Sequence, residues 1–276
     1  MHPELFSVGP VTLYSYGVLL AASYLLGLQL ARRRAAARGL DPNRILDLGI
    51  YIIVAALVGA KALLLVVDFD TFRESPAEML SIIRSGGVFY GGLVLAVAVA
   101  FWYMWRHNLP FWTTCDVFAP GIALGHVTGR LGCLAAGCCY GKPTSAPWAI
   151  VFTDPKALAN VGTPLNIGLH PTQLYEAGAE LAILIVLLTT EKGRMATAGT
   201  TFWLYLLLYA VTRFIIEFYR GDPRGSVGMF STSQFISLLL GPLSLAMLIW
   251  LRRAGSSGTG PGNPGSVGPS KAAATA

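Results

Sequence analysis

Long apolar stretches separated by short polar ones recur along nearly the whole chain. Read as bilayer spans of about 17–25 residues, they fall at approximately 12–31, 47–67, 88–105, 116–139, 172–190, 199–218 and 231–251. Only helices or closed barrels satisfy their backbone in lipid, and runs of this length are helical. The pattern therefore predicts an all-α integral membrane protein with about seven transmembrane helices. The proline-punctuated loop 140–171, which includes the strand-like Trp148–Phe152, is expected to form a small exterior structure. Past Arg253 the apolar pattern stops. Residues 254–276 are rich in Gly, Ser and Pro and are expected to be a disordered cytoplasmic tail, leaving 1–253 as the spanning domain.

Charge orients the spans. Arg32, Arg33 and Arg34 close the first and Arg252 and Arg253 the last. By the positive-inside rule both ends are cytoplasmic, so the N-terminus is exterior. The loops 68–87, 140–171 and 219–230 are then exterior too, although they carry Arg73, Arg84, Lys142, Lys156, Arg220 and Arg224. The first residues lack the basic region and cleavage site of a signal peptide, so the first span is expected to be retained. Only 12% of the 276 residues are charged, against about 25% in soluble domains, which excludes a soluble enzyme. The net charge of +6 gathers at helix ends with no basic stripe between aromatics, so no nucleic-acid partner is expected. The absence of an internal repeat disfavours a transporter of duplicated halves.

Ionisable residues inside spans carry the information, because an arginine at bilayer depth costs about 2.5–3.5 kcal/mol on insertion scales. Here they are Lys61, His126, Arg130, Glu176, Glu180, Arg213 and Glu217. Asp116 is expected at a helix end, solvated by the interface. Arg213, Glu217 and Arg220 share one helical face, and Glu217 can pair with either arginine, leaving one cation uncommitted; the plain alternative is an ion pair that only fixes packing. Pro171 suits a first helical position, which puts His170 at a helix mouth, with Gln173, Glu176 and Glu180 below it on one face and Tyr175 beside them. His126 and Arg130 are one turn apart, followed by Cys133. Cys115, Cys133, Cys138 and Cys139 show no CxxC spacing, so no metal site is assigned to them and their plain reading is packing. Two unpaired arginines suit a phosphate, and the abundant phosphate of a bilayer is a phospholipid headgroup.

"HPTQLYE" (170–176), "GRLGC…YG" (129–141), "FYGGL" (89–93), "SYG" (15–17) and "RFIIEFYR" (213–220) together resemble the bacterial phosphatidylglycerol–prolipoprotein diacylglyceryl transferases. The motifs run in family order from about residue 3 to 253. The resemblance implies seven transmembrane helices in the bacterial inner membrane and a transfer of diacylglycerol from phosphatidylglycerol to the lipobox cysteine of a preprolipoprotein. A thioether forms and glycerol phosphate leaves; no cofactor is expected. Arg130 and Arg213 match essential arginines that hold the lipid phosphate, with Glu217 orienting Arg213. His170, Gln173, Tyr175 and Glu176 match the family signature, Tyr16 an opening tyrosine, and Gly141 the glycine closing the "GRLG" motif.

The chain also departs from the pattern. Tyr90 stands where well-known members have the histidine of HGG, a proposed base. Cys133 replaces an asparagine and Cys138 a glutamate. A thiol with a reference pKa of about 8.5 still needs a proton acceptor or a strongly positive field, and His126 is the expected substitute base, the arginines alone being the alternative. Two other functions stay open: a phospholipid-binding or transport protein without catalysis, and a divergent transferase using another thiol or lipid.

Overall fold

The structure is a computed structural model that describes residues 4–8, 11–69, 73, 87–190, 197–223 and 225–256. A hairpin of β1 (Glu4–Val8) and β2 (Val11–Tyr14) leads into α1 (Ser15–Ala37). Then follow α2 (Pro42–Val67), α3 (Phe89–Arg106) and α4 (Phe111–Ala136). The loop after α4 holds β3 (Ile150–Val151), α5 (Pro155–Val161) and β4 (Gly168–Leu169). The chain continues with α6 (Thr172–Thr190), α7 (Thr200–Glu217), the small hairpin β5 (Ser226–Val227) and β6 (Phe230–Ser231), and α8 (Thr232–Ser256). Among the described residues six helices, α2, α3, α4, α6, α7 and α8, are long and apolar enough to cross a membrane. With the 23-residue α1, the chain is an all-α multi-pass membrane protein of about seven spans.

The contacts divide the chain into two compact units, 1–30 with 118–276 and 31–117. In the second, α2 begins at a conventional cap: Asp41 accepts from Asn43 N at 2.9 Å, with Pro42 at the first helical position. Gly59 on α2 and Gly91 on α3 lie backbone to backbone, and Val88 N donates to Ala60 O at 3.0 Å. Small residues permit such close approach in lipid. Asp116 does not sit solvated at a helix end as expected. It is fully buried, 4.0 Å from Arg38 Nη1, and its carbonyl accepts from Arg34 Nη2 at 3.4 Å. Low dielectric makes an unpaired carboxylate costly, and arginines at the end of α1 supply the partner.

In the first unit α1 packs on α4 through small and hydroxyl residues. A Cβ on Gly27 would come within 2.8 Å of Gly121 O, and Thr128 Oγ1 donates to Ser23 Oγ at 2.7 Å. Ala119 and Ala123 of α4 share a core with Ile183, Leu184 and Leu187 of α6 and Tyr205 of α7. In the loop after α4, β3 and β4 pair antiparallel and Phe152 and Leu169 are buried with Tyr140, so the small structure expected at 140–171 is present. α5 is bounded by Asp154, which accepts from Lys156 N at 2.9 Å, and by Gly162 in the left-handed region. Lys156 also pairs with Glu4 of β1, tying this insertion to the N-terminal hairpin. Most of the expected loop 68–87, the 191–194 connection, Arg224 and nearly all of the 254–276 tail lie outside the described residues.

Candidate active site

α4 and α6 meet in two charged rungs. His126 and Arg130 stand one turn apart on α4, Glu180 and Glu176 one turn apart on α6, and i, i+4 positions stack on one face. Arg130 Nε is 2.5 Å from Glu176 Oε2, and His126 Nδ1 is 2.8 Å from Glu180 Oε1. Tyr205 OH lies 3.2 Å from the same His126 nitrogen, and the Tyr209 ring packs at 5.6 Å. The other Glu180 oxygen is buried without a partner among the described residues.

Glu176 is the hub. Its Oε1 pairs with Arg213 Nη1 and, at 2.7 Å, with Arg220 Nη1. Arg213 Nη2 is 2.8 Å from Glu217 Oε2 and donates to Ser233 Oγ at 3.0 Å. Arg220 forks through Nε and Nη2 onto the two oxygens of Asp222, each at 2.9 Å. The expectation of two unpaired arginines is therefore corrected. Arg130 finds its counter-charge on another helix, and the surplus cation expected from Arg213, Glu217 and Arg220 is matched by Glu176 and Asp222. Three guanidiniums nevertheless share one carboxylate, and each has five N–H donors. Arg130 uses Nε on Glu176 and Nη1 on Cys139 Sγ, 3.8 Å away, which leaves donors for an anion. Burial opposes the charge on Arg220, but Asp222, Cys139 and Glu176 outweigh it and hold its pKa above the ordinary arginine value.

The loop ends build the wall beside this cluster. α4 stops at Ala136; Gly137 (φ 82°) and Cys139 (φ 60°) turn the chain back in left-handed conformations. Two fully buried residues at the start of α6 hold that turn: Thr172 Oγ1 donates to Cys139 O and Gln173 Nε2 to Cys138 O, each at 2.7 Å. The result brings the sulfurs of Cys133, Cys138 and Cys139 within 4.8 Å of one another. Cys138 Sγ donates to Cys133 O at 3.7 Å, and Arg130 Nη1 donates to Cys139 Sγ at 3.8 Å. The absence of CxxC spacing had argued against such a cluster. Spacing rules assume continuous helix or ordinary turn, and this backbone is neither. Cys115 lies in the other unit.

Gly141 N donates to His170 O at 3.1 Å, and Lys142 N donates to Tyr219 O at 2.8 Å. A side chain at Gly141 would strike His170 and come within 2.9 Å of Tyr219 O, so the closing glycine of "GRLG…YG" is where three backbones cross. His170 Nδ1 is 3.1 Å from Tyr175 OH, which accepts from Trp148 Nε1 at 2.8 Å, and the Tyr219 ring lies edge-on to His170 at 5.2 Å. Tyr16 lies along Gly132, where an added Cβ would meet its ring at 3.3 Å. Tyr90 begins α3 in the other unit, with its ring against Phe89. Sequence reasoning selected Arg213 and Glu176 but passed over Arg220, Asp222 and Glu180 as site residues. The signals were there in part: Arg220 lies on Arg213's face and Glu180 one turn from Glu176.

The fold is that of a multi-pass membrane protein, and its helices hold a cluster of arginines on shared carboxylates beside a glycine crossing. Residues 3–250 match the model of the prolipoprotein diacylglyceryl transferase family. The chain is 37% identical over 238 residues to the phosphatidylglycerol–prolipoprotein diacylglyceryl transferase of Clostridium tetani (86% of this chain, 93% of that one). It is 32% identical over 229 residues to transferase 2 of Clostridium perfringens (83% and 87%), and 30% identical over 260 residues to that of Vibrio cholerae (92% of each). This chain belongs to the prolipoprotein diacylglyceryl transferase family.

Proposed function

We propose that this protein transfers the diacylglyceryl group of phosphatidylglycerol to the thiol of a lipobox cysteine in a preprolipoprotein, the first step of lipoprotein maturation. The observation that carries the reading is Glu176 shared among Arg130, Arg213 and Arg220. A lipid phosphate is the anion these guanidiniums can receive by bidentate hydrogen bonds. Aimed at the oxygen that gains charge as the carbon–oxygen bond breaks, they stabilise the departing phosphate. His126, with Nδ1 toward Glu180, has the arrangement of a base whose second nitrogen is held ready. Tyr16, His170, Gln173, Tyr175 and Gly141 line or brace the same region, and Glu217 orients Arg213. Tyr90 occupies the position of the family's histidine without its basicity.

The family resemblance supports a bacterial inner-membrane location and the positive-inside pattern an exterior N-terminus; in that orientation the arginine cluster faces the exterior half, where preprolipoproteins emerge. The test uses purified protein in phosphatidylglycerol vesicles with a lipobox peptide, read by mass spectrometry and by release of glycerol phosphate. The expected result is a diacylglyceryl mass on the cysteine, lost in Arg130→Ala and Arg213→Ala. Binding of the lipid with no glycerol phosphate released would instead support a carrier.

A further inference from the structure

Three thiols converge in this site, and the proposed chemistry gives them no task. We propose that Cys133, Cys138 and Cys139 bind a zinc ion through three thiolates, and that the fourth coordination position takes the substrate thiol and activates it for alkylation. The second half rests on the transferase reading above; the first does not.

The geometry suits the ion. The three sulfurs already lie within 4.8 Å of one another. A zinc–sulfur bond of about 2.3 Å at the tetrahedral angle sets sulfurs about 3.8 Å apart, so the site closes with small rotations. The ligands are also held in advance. Cys139 adopts a positive φ of 60°, a conformation that a residue with a side chain accepts only where its surroundings impose it. Here the imposing groups are Thr172 and Gln173, which hold both cysteine carbonyls from one helix end. All four cysteines are free, with no disulfide among them.

The donor set selects the ion and its coordination. Soft thiolates favour zinc over hard cations. No fourth His, Cys, Asp or Glu joins the group among the described residues. Structural zinc sites have four protein ligands, whereas catalytic ones have three and keep one position open. Charge is accommodated as well. Three thiolates and a divalent ion carry a net negative charge, and Arg130 Nη1 donates to Cys139 Sγ at 3.8 Å.

The reaction needs what such a site supplies, because a thiol coordinated to zinc is deprotonated outright. The incoming thiol binds zinc through sulfur, and its proton passes through solvent to the His126–Glu180 pair. A sulfur lone pair then forms the bond to the glyceryl carbon while the carbon–oxygen bond to phosphate breaks. Glycerol phosphate leaves with that electron pair and recovers the proton. The product thioether is a poor zinc ligand and departs. This would account for a chain with Tyr90 in place of the family's histidine, and with cysteines at 133 and 138.

The experiment uses the full-length protein in detergent, purified without chelator and supplied with zinc. Elemental analysis should find about one zinc per chain, and titratable thiols should fall to Cys115 alone. Replacement by cobalt(II) should give the thiolate charge-transfer band of a tetrahedral site, and a lipobox peptide should shift it while its Cys→Ser counterpart does not. Cys138→Ser and Cys133→Ser should each weaken zinc binding. No zinc, with all four thiols reactive, overturns the site. A cobalt spectrum indifferent to the peptide thiol overturns the activation. Diacylglyceryl transfer is measured on the same samples before and after zinc removal. A fall of about 10²-fold supports the proposal, and unchanged transfer sinks it while leaving the transferase reading intact. A zinc-loaded, peptide-responsive protein that transfers nothing keeps the site and sinks that reading.

Discussion

His126 turns Nδ1 toward Glu180 Oε1 at 2.8 Å, one turn along the same two helices from the pair of Arg130 with Glu176. A carboxylate that accepts Nδ1–H fixes the tautomer and leaves Nε2 as the basic nitrogen. His126→Ala should lower kcat by about 10²-fold. The deficit should shrink as pH rises toward the thiol's own pKa, near 8.5, because solvent then takes the proton. Glu180→Gln should show the same pH trend at a smaller loss, with KM for lipid unchanged. Wild-type kcat in both variants at every pH would remove the pair from the mechanism.

Glu176 holds three guanidiniums together in a buried setting, with only 5% of its own surface exposed. Glu176→Gln keeps the shape and removes the charge, leaving Arg130, Arg213 and Arg220 to repel one another. Breaking a buried pair from one side costs about 3–5 kcal/mol. Thermal unfolding in detergent should therefore register a loss of that order. Added anionic lipid should restore part of it, because a phosphate can take the vacated role. An unfolding midpoint unchanged in neutral lipid would show that the cluster is not electrostatically strained.

The spans were legible because lipid demands long apolar runs whatever the tertiary fold. The first was read as 12–31, whereas α1 runs from Ser15 to Ala37. Residues 11–14 pair in a hairpin, and the arginines that seemed to end the helix continue it, with Arg34 buried against the Asp116 carbonyl. Periodicity speaks for one helix at a time, so it showed that His126 and Arg130 share a face but not that α6 answers them. The cysteine cluster was hidden for a different reason. It depends on Gly137 and Cys139 both adopting positive φ, which no spacing rule encodes.

Gly141 and Gly178 offer a paired test of the backbone crossing. A Cβ at Gly141 would strike His170, whereas one at Gly178, on α6, meets nothing within 4 Å. Gly141→Ala should cost about 1–3 kcal/mol through forced backbone shifts and should reduce transfer, because His170 and Arg220 both lie at the crossing. Gly178→Ala should be neutral or stabilising by up to about 1 kcal/mol, as alanine favours helix. Equal tolerance at both positions would contradict the close approach.

Gln173 is fully buried, and its Nε2 donates to Cys138 O at 2.7 Å. Its role is to position the turn that presents Cys138 and Cys139, so the substitutions should separate by hydrogen-bonding capacity. Gln173→Glu keeps the length but sets an acceptor against a carbonyl. It leaves a buried polar group unsatisfied, worth about 1–3 kcal/mol, and should lower kcat more than it raises KM for lipid. Gln173→Met removes the donor without adding a charge and should fall between the two. The discriminating measurement is the rate at which Cys138 and Cys139 react with a small alkylating reagent. If Gln173 holds the turn, both variants change that rate and the Thr172→Val variant shifts it in the same direction. If Gln173 instead binds substrate alone, thiol reactivity stays at the wild-type value while KM rises.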